Sequence, residues 1–504
     1  MTILKKSGIL QGWLSKFNLA NKIRRTSTSA ICEIQMRPHA KMFGAIKKFF
    51  LPLGILQMLF LYGCVRVNTN ALPIFEEVQH NIHRQSGYCP HWNTDSYECN
   101  DQTWVTNALE QELTLDLAIS IALLNNKELQ AIYENLGIAK AQFVQAGLLN
   151  NPIFSLSYRF STQSSVTNLI DLGLFQNFLE ILLIPLKKRV AAAELEATKA
   201  RVTAQIFDVI AQTKIAFFTY QAVVQIWGLK KQILLGADSS FEAGQKLFKA
   251  GNIKKLELTE QYEFYEKTKV EVADLELEVL KARERLNVLM GLWGPQIHWK
   301  AHHCIPFVQE KEGEWEDVEN KAISNSFDLA IAKKGIYAAA AGFGIDTTRI
   351  VFPQFELGPS SERDEGTWYV GPALALGLPF FDFGQAVSAN AQSEILRQWK
   401  NYTALAIEIR SEARMKRMLV LNAHRKALYY QKVLIPIAEQ LTSLTLLQHN
   451  AMQLGVFHLL AAKMHEIEQK IHNIELIRDY WIARTELEIL LNGHLIGKVI
   501  EIRR

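Results

Sequence analysis

Proline and glycine are scarce over four long intervals of this chain, 186–235, 256–289, 386–452 and 459–491, in which Pro436 is the one proline. That scarcity argues against a globule of many short elements, because most tight turns draw on those two residues. Enzymatic chemistry is missing as well. There is no glycine-rich phosphate loop, no His-Glu-x-x-His pair and no Gly-x-Ser-x-Gly elbow. The chain therefore reads as a non-enzyme without a cofactor, and any transport it takes part in must be driven by a partner. The apolar run at 49–63 falls short of the roughly 20 residues of a spanning helix. Cysteine is also rare, with five in 504 residues.

What is present begins with that run. Lys47 and Lys48 precede Phe49–Gly63, and Cys64 follows. A basic region, an apolar core of about 15 residues and a small residue before cysteine form an export signal. Leu61-Tyr62-Gly63-Cys64 resembles the lipobox of bacterial lipoproteins, in which the cysteine is acylated and becomes the new N-terminus. Residues 1–41 fit this signal poorly and Met42 begins a tidier one, so the leader 1–63 is given no fold; either the start is assigned too early, the favoured reading, or the basic region is unusually long. Residues 1–63 hold ten Lys/Arg and one Asp/Glu, so the formal charge of +4 becomes 4 − 9 = −5 in the mature chain. The apparent basicity thus gives no support to nucleic-acid binding. Cys89 and Cys99 stand ten apart in an exported, oxidising context, and a disulfide is the simplest reading. A metal site with His80, His83 and His91 is the rival, although the spacing is not that of a zinc knuckle.

The four proline-poor intervals are rich in strong helix formers. Val272, Leu275, Val279, Leu286 and Leu289 recur at helical rather than strand spacing. The 386–452 run would extend about 100 Å at 1.5 Å per residue, a length that points to coiled-coil packing or a helical array. Two intervening segments differ. Residues 153–180 and 350–378 each read as a β-hairpin with strands of about ten residues, the length of a membrane strand. The second hairpin places its polar turn at Gly358–Gly366.

The two halves repeat. Asn125, Leu129, Ala139 and Pro152 precede Asn325, Leu329, Ala339 and Pro353 by about 200 residues, and Gly251 pairs with Gly455. The expected organisation is a 64–104 extension, a first repeat at 105–300, an acidic connector at 301–322, a second repeat at 323–492 and a tail at 493–504. Four strands cannot close a barrel, and an open edge in lipid costs several kcal/mol per unpaired backbone group. Several copies must therefore share one barrel, and three would supply twelve strands. The expected fold class is mostly α with a membrane β-barrel: long antiparallel helices in a trimeric α-barrel, and two β-hairpins per chain. A non-conducting lipoprotein that spaces two membranes is the alternative from another class.

Over roughly 105–492 the sequence resembles the TolC-like outer membrane efflux proteins. The resemblance rests on Ala118-x6-Asn125-x3-Leu129, Ala139-x-Ala141-x4-Ala146-x2-Leu149-Asn-Asn-Pro152, Leu183-Ile-Pro185 and Gly251-Asn-Ile. It continues through Glu284-x-Leu286-Asn-x2-Met290-Gly-Leu-Trp293, Val370-Gly-Pro-x5-Leu378-Pro-Phe-Phe-Asp-Phe-Gly384 and Arg478-Asp-Tyr-Trp481-x-Ala483-x3-Leu487. It implies a lipid-anchored homotrimer in the bacterial outer membrane with a twelve-stranded barrel and a helical tube. The implied partners are a periplasmic adaptor and an inner-membrane pump of the proton-driven resistance-nodulation-division type. The lipoprotein variant looks most like the heavy-metal efflux branch, with the multidrug branch as rival.

The resemblance also implies residue roles. Gly251 and Asn252 in one turn, and His449, Gln453, Gly455 and His458 around the other, form the periplasmic tip and gate, with both glycines expected in dihedrals that alanine avoids. This chain lacks an acid between Glu439 and Glu466, so the acidic ring that closes the tip in several members is missing. Pro185, Pro379, Asp382 and Gly384 are expected where strands hand over to helix starts. The acidic stretch Glu310–Glu319 reads as a solvated connector, and His302 and His303 beside Cys304 as a weak candidate for soft-metal binding.

Overall fold

The computed structural model describes residues 67–93, 98–160, 168–313 and 315–496, without the side chains of 98–101. The leader with Cys64 and the last eight residues lie outside the described residues. The described residues from 68 onward form one unit by contact. Its elements run α1 (Leu72–Ser86), α2 (Glu98–Leu109), α3 (Leu115–Asn125), α4 (Lys127–Gln145), β1 (Ile153–Arg159), β2 (Leu169–Asn177), α5 (Phe178–Lys249) and α6 (Lys255–Met290). Then come α7 (Val318–Asn325), α8 (Phe327–Val351), β3 (Phe355–Asp364), β4 (Thr367–Leu376), α9 (Gln385–Tyr429), a π segment (Tyr430–Leu434), α10 (Ile435–Asn450) and α11 (Val456–Leu491).

The longest helix, α5, spans 72 residues, about 108 Å at 1.5 Å per residue. It packs against α4, α6, α8 and α11. Its middle is the centre of the core. Ile206, Phe207 and Ile210 meet Phe75, Leu129 and Tyr133 on one side, while Phe217 and Tyr220 meet Leu286, Met290 and Trp299 on another. Burying a side chain such as Phe207 contributes roughly 1.5–3 kcal/mol. Towards the far end Ile226 and Ile233 pack on Ile467 and Ile471 of α11.

Local chemistry sets the boundaries. Asn126 caps α4 by accepting a hydrogen bond from the Leu129 N–H at 3.0 Å, and Ser326 caps α8 from the Leu329 N–H at 3.1 Å. Asn177 caps α5 by accepting from Glu180 N–H at 3.2 Å. Pro185 therefore lies inside α5 and not at its start. The side-chain cap fixes the start seven residues earlier than the proline signal suggests. The 386–452 run is helical as far as Asn450 but not uniform in winding. Pro436 has no N–H to donate, and the π turn at 430–434 absorbs the defect, with the Ile435 N–H bonded to the Tyr430 carbonyl.

The four strands form one antiparallel sheet in the order β1-β2-β3-β4. The second hairpin departs from the sequence expectation. Residues 350 and 351 belong to α8, and Gly358–Asp364 is strand, so the turn shrinks to Glu365-Gly366. Gly-Pro-Ser-Ser can remain extended here because the β2–β3 ladder skips Gly358 and Pro359, passing from Gly173↔Ser360 to Gln176↔Leu357. The missing proline N–H thus falls in a gap of the ladder. Gly358 is required there: a Cβ would stand 1.8 Å from the Leu174 carbonyl oxygen.

Candidate functional site

The sheet has two unlike faces. Strand register puts Phe154, Leu156 and Tyr158 beside Leu174, Leu172 and Ile170. The same face continues through Leu357 and Pro359 to Leu374, Pro372, Val370 and Trp368, interrupted by Ser361 and Arg363. The opposite face carries Ser155, Ser157, Arg159, Asp171, Ser360, Glu362 and Thr367, with Ile153, Leu169, Phe175 and Tyr369 among them, and is the more polar of the two. Arg159 and Asp171 pair there at 2.9 Å. The apolar face is uncovered, with Leu156 62% and Val370 75% exposed. Among the described residues β1 and β4 are unpaired edges. Two open edges leave backbone donors and acceptors that a further strand or water must satisfy.

At the strand-to-helix handovers, Glu180 in the first turn of α5 is bound by Lys187 and by Arg349 of α8, the latter at 3.2 Å. Pro379 lies in the connector between β4 and α9. Gly384 caps α9 at φ 78°, and its N–H donates to Asp382 Oδ1 at 2.8 Å. Asp382 thus holds the connector just before the helix.

The two turns at the other end of the long helices lie together. A Cβ on Gly244 of α5 would meet Leu258 of α6 at 3.3 Å and Phe457 of α11 at 3.7 Å. Gly251 has φ 75°, and the Asn252 N–H closes the turn on the Leu247 carbonyl at 2.9 Å. The second turn closes in the same way, Gln453 N–H to the Gln448 carbonyl at 2.9 Å, but the left-handed residue is Met452, at φ 58°. Gly455 is instead the extended N-cap of α11 at φ −72°, open to any residue. The counterpart of Gly251 is therefore Met452. The glycine expectation for residue 455 fails because helix N-caps need no positive φ. His449 Nδ1 lies 3.0 Å from the Leu454 carbonyl oxygen, tying the turn, and His458 is exposed in the first turn of α11. Met452 is 95% exposed, so it packs on little while holding a strained backbone. Met452→Gly should raise stability by about 0.5–1 kcal/mol, the relieved strain outweighing the looser unfolded chain. Urea or thermal unfolding checks this, and a loss of stability would contradict it.

Below the tip, Glu466 is buried between α10 and α11. Its Oε1 accepts from Lys463 at 2.7 Å and Lys470 at 2.8 Å, and Lys470 bridges to Glu439 at 2.9 Å. Burial would raise its pKa, but the two lysines and Thr442 hold it down at about 2.

The acidic stretch is not simply solvated. The side chain of Glu312 is 5% exposed; it accepts from the Tyr480 hydroxyl and from Trp315 Nε1 at 3.1 Å. Glu310 pairs with Lys432 and Glu319 with Arg414. The connector is a strap fastened to α9, α11 and the π turn, because its carboxylates find fixed cations and hydroxyls there. Gln221 of α5 donates to the carbonyls of His302 and Cys304 at 2.8 and 3.1 Å. Among the described residues no three His, Cys, Asp or Glu side chains are placed to hold one metal ion. Cys89 is exposed with its sulfur 3.3 Å from His83 Nδ1, and the side chain of Cys99 lies outside the described residues.

A buried ionic cluster went unseen in the sequence. His494 lies 3.0 Å from Asp208 of α5 and 3.2 Å from Asp328 of α8. Burial would lower its pKa, but the two carboxylates outweigh it and raise it to about 9.

Comparison with known proteins agrees with this geometry. The family model "Outer membrane efflux protein" matches residues 118–292. The chain is 22% identical over 406 residues to the cobalt-zinc-cadmium resistance protein CzcC of Cupriavidus metallidurans, covering 75% of this chain and 90% of that one. It is similar in structure to CusC (TM-score 0.63, 15% identity, 76% of this chain and 92% of the other). The outer-membrane channel OprN gives a TM-score of 0.64 at 16% identity, with 77% and 92% covered. The open state of the MtrE channel of Neisseria gonorrhoeae gives 0.63 at 17% identity, with 76% and 89% covered. The chain has the fold of these outer-membrane channels.

Proposed function

We propose that three copies of this chain join their sheets edge to edge into one twelve-stranded outer-membrane barrel, continued into the periplasm by the long helices. The assembly is the exit duct of a tripartite efflux system. An inner-membrane pump, of the proton-driven resistance-nodulation-division type, delivers substrate through a periplasmic adaptor that docks at the tip turns around Gly251 and Met452. The observation that carries this is the four-stranded sheet with one apolar face, one polar face and two open edges. Edge pairing between copies removes the unpaired backbone groups and leaves the polar face lining water.

An internal duplication underlies the quasi-sixfold wall. It is supported by matching packing: Asn125 Nδ2 donates to the Gly291 carbonyl at 2.8 Å, and Asn325 Nδ2 to the Leu491 carbonyl at 2.9 Å. A lipid on Cys64 anchors the mature chain at the membrane, and a Cys89–Cys99 disulfide staples the N-terminal extension. Heavy-metal cations are the substrate class, supported by the likeness to a cobalt-zinc-cadmium resistance protein.

Planar-bilayer recording on the purified oligomer tests the duct. Discrete, reproducible conductance steps are expected. A correctly assembled trimer that passes no current at any voltage or pH would favour the non-conducting scaffold.

A further inference from the structure

Helix α11 carries three exposed histidines at an exact seven-residue repeat, His458, His465 and His472. Seven residues are nearly two turns, so the three share one face, about 10.5 Å apart along the axis. Ile467, Ile471, Asn473 and Ile477 are buried on the side of α11 that packs into the protein. The histidine row therefore lies on the face left free by that packing.

Two of the three have an acid three residues on: His465 with Glu468, and His472 with Glu475. On a helix that spacing brings the side chains together. For the second pair the contact is made, with His472 Nδ1 3.0 Å from Glu475 Oε2. The carboxylate accepts a hydrogen bond from Nδ1–H, which fixes the tautomer and leaves Nε2 with its lone pair as a metal donor. The Tyr430 ring, 5.0 Å away, flanks the same imidazole. Neighbouring cations are already answered: Lys463 and Lys470 by Glu466, Lys470 also by Glu439, and Arg478 by Asp479. Glu468 and Glu475 keep the row attractive to positive charge.

We infer that His465–Glu468 and His472–Glu475 are two successive stations for a divalent transition cation of imidazole preference, with His458 as the first rung at the tip. This rests on the duct reading for its purpose, since a row of weak sites parallel to the tube axis would pass such an ion along. One imidazole backed by a carboxylate leaves most coordination positions to water or to another copy of the chain, so each station binds reversibly. The absent acid at residue 461, three after His458, makes the tip rung the weakest.

The test is zinc titration of the purified full-length oligomer against a chromophoric chelator, with His465→Ala/His472→Ala and Glu468→Gln/Glu475→Gln beside the parent. All four side chains are exposed, and circular dichroism checks that the helices persist. The histidine variant should lose two zinc ions per chain. The glutamine variant should bind about tenfold more weakly, or worse, as loss of the supporting carboxylate predicts. A histidine variant that binds as many ions as the parent with the same affinity would overturn the proposal. Conductance in zinc-free buffer tests the duct separately, so a chain that conducts but does not bind zinc through these residues defeats only this inference.

Discussion

Val370→Arg is expected to abolish the oligomer in membranes, while Ser155→Arg leaves it assembled. Val370 lies on β4, an edge strand, and belongs to the apolar face together with Leu374, Trp368 and, across the register, Ser361 and Leu172. It is 75% exposed in the single chain, so the substitution meets no steric obstacle within one copy. The damage comes from lipid. An arginine on the lipid face near the bilayer centre costs about 2–4 kcal/mol, and three copies place three in one barrel, roughly 6–12 kcal/mol in all. That approaches the whole stability of an ordinary domain, roughly 5–15 kcal/mol. Ser155 sits on the opposite face, next to Ser157 and Arg159, where water already solvates charge. Size-exclusion chromatography after membrane extraction, with chemical cross-linking, reads the outcome. Assembly of Val370→Arg at the parent's level, or equal failure of both variants, would mean that the faces are assigned wrongly.

The helices and hairpins were legible because their signals are local. Leu275, Val279 and Leu286 advertise a helix by spacing alone, and Ile153–Arg159 alternates over one strand. What escaped depends on contacts between distant residues. Gly358 and Pro359 look like a turn until β2 is seen to leave a gap opposite them. Pro185 is a local exception: it looks like a helix start, but Asn177, three residues before Glu180, already caps the helix. At the tip, Gly251 was legible and Met452 was not. A glycine announces a left-handed position, but a methionine forced into one by the closing hydrogen bonds of the turn does not. Glu312 read as solvated because five other acidic residues surround it in sequence, whereas Tyr480 and Trp315 enclose it in space. His494 carried no signal at all, since Asp208 and Asp328 are remote in the chain. The histidine row of α11 is the opposite case: its period is plain in the sequence, but only the burial pattern says that its face is free.

Gly493→Ala should be among the most damaging single-methyl changes outside the sheet, with a loss of roughly 3–5 kcal/mol from backbone strain and broken hydrogen bonds. Gly493 has φ 110°, a region that alanine avoids, and a Cβ would stand 2.1 Å from the Asn325 carbonyl oxygen and 2.8 Å from its carbon. Those are backbone atoms and cannot swing aside. Moving them would disturb the Phe327 N–H bond to the Gly493 carbonyl at 2.8 Å and the Asn325 side-chain bond to Leu491. It would also displace the adjacent His494, leaving the buried Asp328 without its countercharge. Gly455→Ala is the control, with φ −72° and open space around it, and should change stability by less than about 0.5 kcal/mol. The parent protein offers a second readout of the same cluster. Because the folded pKa of His494 is raised to about 9, its contribution is complete below about 6.5 and is lost as pH rises through 9. Urea unfolding followed between pH 6 and about 10 should therefore show a decline in the parent that His494→Gln lacks. A Gly493→Ala protein as stable as the parent would refute the close-packing argument at residue 493, and a parent whose stability is flat through pH 9 while His494→Gln is already weakened at pH 7 would show that packing, and not the ion cluster, holds α5, α8 and the end of α11 together.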